Sequence, residues 1–156
     1  MMKSTLWNDW QNTLYSVPTH KFDNGLTEYQ IAGQIADLLN SYNHLKTKHT
    51  PSTILSDKVK YFIELYGQDV IGCVGLLYEL ALDKICHLTI KPEFRRKGFG
   101  RKLIYRAKEF SQRSAVYMSI REDNIGSLNL ATSLGFRAIA YKRTNDYNLL
   151  ILFMEK

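Results

Sequence analysis

The chain has 156 residues, of which 45% are hydrophobic and 23% charged, and its formal net charge at pH 7 is +6. This length and balance predict one globular domain over residues 1–156 and exclude a disordered chain. No segment approaches the roughly 18 consecutive apolar residues of a membrane-spanning helix, and no apolar run of a secretory signal follows Met1, so we expect a cytoplasmic protein without membrane contact. Cys73 and Cys86 lie in apolar segments and are expected to be small buried residues rather than a redox or metal pair.

Hydrophobic periodicity in the first half of the chain predicts one helix followed by three strands. Apolar residues recur at helical spacing over Glu28–Tyr42, and Thr27 stands near the expected start of this helix. Residues 58–66 and 70–80 flank the turn sequence Gly67-Gln68-Asp69 and predict a β-hairpin. A third strand is predicted over residues 84–91.

The second half of the chain alternates between strands and helices. The predicted elements are a helix over 99–112, a strand over 116–120, a helix over 127–134 and a final strand pair over 136–141 and 147–154. Antiparallel strands followed by alternating strand and helix predict a mixed α/β sandwich with helices on both faces of the sheet.

The segment Phe94–Arg101, between the third strand and the helix that follows it, has the composition of a phosphate-binding loop. Gly98 and Gly100 carry no Cβ and permit a ligand to approach the backbone where the helix begins. Between Lys91 and Arg113 there are nine basic residues and two acidic ones, an excess larger than that of the whole chain. This concentration favours a ligand with several phosphates, and a second, acidic partner such as nucleic acid is the alternative.

The spacing Arg-x-x-Gly-x-Gly over Arg95–Gly100 resembles the coenzyme A signature of the GNAT family of N-acetyltransferases. The preceding residues 87–94, HLTIKPEF, fit the same family. A second block also agrees, in which a strand ends at Ile120–Asn124 and a helix is closed by Gly135-Phe136. The resemblance covers roughly residues 58–141 and implies a twisted mixed sheet of about six or seven strands with helices on both faces.

Membership of this family would imply acetyl-CoA as the acyl donor and a pantetheine arm lying between two splayed parallel strands. The first of these strands would contribute backbone groups, and Asn124 would bind the arm with its amide or, equally, cap the following helix. Coenzyme binding is therefore expected at Leu88, Ile90, Arg95, Arg96, Lys97, Gly98, Phe99, Gly100, Arg101, Asn124 and Ser127.

The catalytic groups are less clear, because two positions depart from the family pattern. The usual tyrosine acid is replaced by Ala131, and the usual glutamate on the coenzyme strand by Lys84. Glu79, Asp83 and His87 are candidate bases near that strand, and His87 has the most suitable ordinary pKa. Simple strand alternation, however, would place His87 on the face opposite Cys86 and Leu88. The candidate acids are Tyr141, Tyr117, Ser127 and Ser133.

The expected activity is acetyl transfer to a primary amine of a small molecule, an amino acid or a peptide. Acidic residues are sparse in the segments expected to form the acceptor site, which disfavours a polycationic acceptor. A coenzyme A sensor without activity and a nucleic-acid-directed transferase are the alternatives, and a monomer or a homodimer is expected. The four histidines show no metal-ligand spacing, so no metal site is predicted.

Overall fold

The computed structural model describes residues 25–43, 47–56 and 58–156. In chain order the elements are α1 (Glu28–Tyr42), α2 (Pro51–Ile54), β1 (Val59–Tyr66), β2 (Asp69–Leu77), β3 (Asp83–Ile90), a 3-10 turn (Pro92–Phe94), α3 (Phe99–Phe110), β4 (Ala115–Arg121), α4 (Ile125–Ser133), β5 (Arg137–Arg143) and β6 (Asn148–Glu155). The strands form one mixed sheet in the order β1-β2-β3-β4-β6-β5. The predicted fold class is confirmed, with six strands in the described part of the chain and helices on both faces. No helix within these described ranges is long and apolar enough to span a membrane.

Helix α1 covers one face of the sheet beside β2 and β3. It begins with a capping box, in which the Gln30 amide donates to Thr27 Oγ1 at 3.2 Å and the Thr27 amide donates to Gln30 Oε1 at 2.9 Å. Its apolar stripe includes Ile31, Ile35 and Leu39, which have no exposed area. Full burial of each such side chain contributes about 1.5–3 kcal/mol, so this stripe fixes α1 on the sheet.

Helix α3 covers the opposite face of the same strands. Leu103, Ile104 and Ala107 are buried in a core cluster with Phe62 and Ile85, and their spacing places all three on one stripe of the helix. Two features differ most from expectation. Strand β2 ends at Leu77, and residues 78–82 leave the sheet as a loop. The four-residue α2, which begins with its own capping box, was not predicted.

The parallel strands β3 and β4 separate soon after they begin. Among the described residues they pair at Asp83 with Val116 and at Lys84 with Tyr117, and no further. Beyond that point β4 stays in register with β6 while β3 stays with β2. The six residue steps of extended chain from Lys84 to Ile90 span about 20 Å. The two strands therefore enclose a gap that is closed at Lys84 and opens towards the loop after β3.

A β-bulge in β3 changes the faces that strand alternation predicts. The register with β2 shifts between Cys73 and Gly75, and His87 has a φ of 58° in the left-handed region. Leu88 packs in the core on the face of the sheet that α3 covers. His87 lies against Tyr61 on the opposite face, which α1 covers. Leu88 therefore faces away from His87, as alternation predicted. Cys86 instead lies beside Tyr61, and Ile85 packs on the same face as Leu88. The prediction that Cys86 shares a face with Leu88 was wrong, because the extra residue of the bulge shifts the alternation by one.

Candidate active site

The loop between β3 and α3 presents an uncapped helix start at the open end of the gap. Gly98 precedes α3 with a φ of 90°, and no described side chain caps the helix there. The first amide groups of α3 are thus available to a ligand, and the helix dipole places partial positive charge on them. A Cβ built on Gly98 would meet nothing within 4 Å, so its backbone conformation, rather than crowding, requires glycine.

Gly100 has a different structural role from Gly98. A Cβ at Gly100 would lie 3.1 Å from Leu130 Cδ2 and 3.7 Å from Leu88 Cδ2. Its missing side chain therefore allows α3 to pack against α4 and β3, in addition to any approach of a ligand.

Several basic residues near the loop have partners within the chain. Arg95 Nε donates to the Ile90 carbonyl at 2.9 Å, and Arg101 donates to Ser133 Oγ at 2.9 Å. Lys102 and Arg106 lie 3.3 and 3.2 Å from Oε1 of the buried Glu64. The exposed side chains of Arg96 and Lys97 remain beside the start of α3, and Arg96 adopts the left-handed conformation with a φ of 61°.

The other expected coenzyme residues line the gap and its opposite rim. Leu88 and Ile90 direct their side chains into the α3-side core, as expected if they contribute backbone groups. Asn124 lies beyond the end of β4 and caps α4, where its Oδ1 accepts the Ser127 amide at 3.2 Å. The capping interpretation of Asn124 is thus observed, and its side-chain NH₂ group is a further donor.

A hydrogen-bonded pair stands at the closed end of the gap. Tyr117 donates its hydroxyl to Glu79 Oε2 at 2.6 Å. Burial, and after it the Glu79 hydrogen bond, raise the pKa of Tyr117 to about 12. An open cavity of about 780 Å³ lies here, lined by residues 78–82, Arg113 and Tyr117. Sequence reasoning named both residues but missed their contact, which depends on the pairing of Lys84 with Tyr117.

His87 occupies the bulge on the α1 side of the gap. Its Nδ1 lies 2.7 Å from the hydroxyl oxygen of Tyr61, and its ring stands edge-on to His49 at a centroid distance of 5.2 Å. Burial lowers the pKa of His87 to about 4, with smaller contributions from the charges of His49 and Lys84. The imidazole is therefore neutral at physiological pH.

Tyr141 is not brought together with Glu79 and His87. It lies on β5 at the edge of the described sheet, with β6 between β5 and β4. Its hydroxyl donates to Glu122 Oε2 at 3.3 Å. Of the alternative acids suggested by the sequence, Tyr117 is the one that lies at the closed end of the gap.

Three other observations limit which groups can take part in the chemistry. Burial raises the pKa of the Cys86 thiol to about 12, which disfavours it as a nucleophile at neutral pH. Over the described ranges, the His, Cys, Asp and Glu side chains form no cluster of three that could hold a metal ion. Ala131 is fully buried, so the position expected for the family's tyrosine belongs to the core here.

Sequence comparisons agree with the structural pattern. The profile of the Acetyltransferase (GNAT) family matches residues 24–136. N-alpha-acetyltransferase RimI of Mycobacterium tuberculosis is 32% identical over 56 residues, 36% of this chain and 35% of that protein. An uncharacterized protein of Mycobacterium leprae, ML0378, is 24% identical over 123 residues, 78% of this chain and 31% of that protein. The matched regions thus span about a third of these curated relatives.

Solved structures show the same fold at low identity. The ribosomal-protein-S18-alanine N-acetyltransferase of Escherichia coli superposes with a TM-score of 0.65 at 14% identity, covering 80% of this chain and 86% of that one. Arabidopsis thaliana NAA60, solved with a bisubstrate analogue, gives 0.69 at 12% identity, with 80% and 91% covered. A GNAT acetyltransferase of Elizabethkingia anophelis with acetyl-CoA bound gives 0.62 at 18% identity, with 77% and 89% covered. Given a profile match over most of its length and this shared fold, the chain belongs to the GNAT acetyltransferase family.

Proposed function

We propose that the protein transfers an acetyl group from acetyl-CoA to a primary amine of a small molecule, an amino acid or a peptide. The observation that carries the proposal is the gap between β3 and β4. It opens at the uncapped start of α3, beside Arg96 and Lys97, and closes at Lys84 beside the Glu79–Tyr117 pair, with His87 three residues further along β3. A phosphorylated donor held at the open end would thus carry its thioester towards the polar groups at the closed end.

Coenzyme binding would use the features of the open end together. Amide groups of the α3 start and the Arg96 and Lys97 charges suit a pyrophosphate. The backbone of β3 faces the gap beyond Lys84 and can pair with the amides of an extended arm, as a neighbouring strand would. Asn124 and Ser127 stand at the opposite rim, where the Asn124 NH₂ group is a suitable donor to the arm.

The chemistry requires a proton acceptor for the amine and a group that stabilises the leaving sulfur. As the amine nitrogen forms a bond to the acetyl carbon, its surplus proton passes to the neutral His87 imidazole, and the carbon–sulfur bond breaks. Tyr117 stays protonated at neutral pH because its pKa is raised to about 12, and it can turn its hydroxyl from Glu79 to the departing thiolate. Glu79 attracts the incoming ammonium form of the acceptor, which gives one proton to water and reacts as the neutral amine. Water also completes protonation of the departing thiolate. Tyr141 has no part in this proposal, since β6 separates its strand from β4.

The basic segment supports a coenzyme site better than a nucleic-acid surface. Lys102 and Arg106 lie next to the buried Glu64, and Arg101 donates to Ser133. These three basic side chains therefore already have partners within the chain. Steep salt dependence of RNA binding that persists with acetyl-CoA bound would favour the nucleic-acid alternative.

Thiol release from acetyl-CoA, measured over a panel of amines and checked by mass spectrometry of the product, tests the proposal. We expect release that depends on the amine and is lost in Gly98→Glu, where a carboxylate would meet the pyrophosphate. Gly98→Asn is the matched control, because asparagine tolerates the left-handed conformation without adding charge. Coenzyme binding without release across the panel would instead indicate a coenzyme A sensor.

A further inference from the structure

The ring of His87 is held between two other aromatic rings. It stacks on Tyr61 with a centroid distance of 5.9 Å and an interplanar angle of 20°, and it meets His49 at 67°. Tyr61 is only 2% exposed and lies in the α1-side core, so its hydroxyl has little freedom to move. The contact of 2.7 Å between Tyr61 Oη and His87 Nδ1 is therefore built into the fold.

The backbone of His87 is fixed just as firmly as its ring. A left-handed φ is unusual for histidine and persists where surrounding contacts enforce it. The His87 carbonyl accepts from Thr89 Oγ1 at 3.2 Å and from Cys73 Sγ at 3.7 Å. Asn43, just after α1, donates to Thr89 Oγ1 at 2.8 Å. Contacts from α1, β2 and β3 thus maintain the bulge that presents His87.

His49 is anchored independently of His87. Its amide donates to Asn40 Oδ1 at 2.8 Å, and its carbonyl accepts from Asn40 Nδ2 at 2.9 Å. Its Nδ1 lies 3.4 Å from Thr53 Oγ1. These hydrogen bonds hold the segment before α2 against α1 and keep the His49 ring next to the ring of His87.

A neutral imidazole carries one N–H, and the partner of one nitrogen decides whether the other is a donor or an acceptor. We propose that Tyr61 is a positioning residue for acetyl transfer, because its phenol oxygen accepts the Nδ1–H of His87 and leaves Nε2 as the proton acceptor for the amine. This inference rests on the proposed function. It adds to that function a residue outside the gap that selects the tautomer of the base.

The surroundings of His87 favour this neutral state. The titratable or charged groups that face it come from β1, β2, β3 and the segment before α2, and they are Tyr61, Cys73, Cys86, Lys84 and His49. Burial raises the pKa values of Tyr61, Cys73 and Cys86, which keeps those groups protonated and uncharged. Burial, His49 and Lys84 each lower the pKa of His87, and all three act against the imidazolium cation.

Nitrogen-15 NMR of the histidine side chains tests the tautomer without any assay of activity. In protein at pH 7 we expect the His87 signal to report protonated Nδ1 and unprotonated Nε2. His87→Asn identifies the signal, because asparagine also accepts the left-handed backbone. A ring protonated at Nε2 would overturn the inference, whatever the enzyme's activity.

Kinetics of Tyr61→Phe provide the second test. Phenylalanine keeps the stacked ring but removes the oxygen, so we expect kcat to fall by about 10- to 100-fold, as when a partner that orients a functional histidine is lost. The KM for acetyl-CoA should not change. The exposed Tyr29 of α1 provides the control Tyr29→Phe, with kcat expected at the wild-type value.

The two tests separate this inference from the proposed function. A Tyr61→Phe enzyme with wild-type kcat, or with a changed tautomer and no kinetic effect, would overturn the positioning role while leaving acetyl transfer intact. A wild-type protein that releases no thiol would contradict the proposed function before any variant is compared.

Discussion

Replacing Glu64 with glutamine should destabilise the fold, because it removes the negative charge beneath two basic residues of α3. Glu64 on β1 has no exposed area, and its Oε1 lies 3.3 Å from Lys102 Nζ and 3.2 Å from an Arg106 nitrogen. Burial lowers the pKa of Arg106, while Glu64 opposes this effect. The variant would leave Arg106 next to a neutral amide at a site that is largely closed to water.

The size of the effect follows from the exposure of the two cations. Removing one partner of a fully buried ion pair costs about 3–5 kcal/mol. The Lys102 side chain is 45% exposed and can turn to water, whereas the Arg106 side chain is 16% exposed and cannot do so readily. No described donor is aligned for a hydrogen bond to either Glu64 oxygen, which lowers the value further. We therefore expect a loss of about 2 kcal/mol, or roughly 4–8 °C in Tm for a domain of this size.

Urea denaturation of Glu64→Gln against wild type measures this loss. The exposed Glu109 of α3 provides the control Glu109→Gln, which should change stability by less than about 0.5 kcal/mol. A Glu64→Gln protein as stable as this control would refute the argument. Such a result would mean that Arg106 remains hydrated and that the ion pair does not hold α3 on the sheet.

Other substitutions test the remaining site residues. Asn124→Ala should lose about 1 kcal/mol of stability because it removes the helix cap, and Asn124→Ser should restore that stability. If the Asn124 amide binds the pantetheine arm, the affinity for acetyl-CoA should be low in both variants. Recovery of affinity with serine would show that Asn124 acts only as a cap. Tyr117→Phe should lower kcat and change the KM for the amine by a smaller factor, as measured by steady-state kinetics. An unchanged kcat would show that Tyr117 takes no part in the chemistry. His87 in the unfolded chain takes up a proton below pH 6.5 but in the folded chain only near pH 4. Its contribution to stability should therefore fall by up to about 3 kcal/mol as the pH drops between these values. Denaturation of His87→Asn should show a correspondingly weaker pH dependence, and an unchanged one would contradict the lowered pKa.

Local sequence signals were enough to predict most of the fold. Helical spacing specifies α1 over Glu28–Tyr42, and the turn at Gly67 specifies the hairpin between two strands rich in β-branched residues. Neither signal depends on distant residues. The glycine loop likewise revealed the start of α3 and the family. The exact end of β2 was less predictable, because apolar residues after Leu77 continue the strand pattern into a loop.

The candidate catalytic groups could not be brought together from sequence, because their contacts depend on long-range register. The bulge at His87 exists only because β2 and β3 are out of step by one residue, and no local pattern encodes that shift. Glu79 meets Tyr117 through the pairing of β3 with β4, and Glu64 meets Arg106 through the packing of α3. Substituting tyrosine for Ala131 is a poor test of the missing acid, since that site is fully buried and would be overpacked.

Calorimetric titration of acetyl-CoA into the wild type, Gly98→Asn and Gly98→Glu tests most directly whether the gap and its glycine loop form the donor site. We expect micromolar binding to the wild type and to Gly98→Asn, and loss of binding in a folded Gly98→Glu protein. No binding to the wild type, or equal affinity in Gly98→Glu, would contradict this expectation.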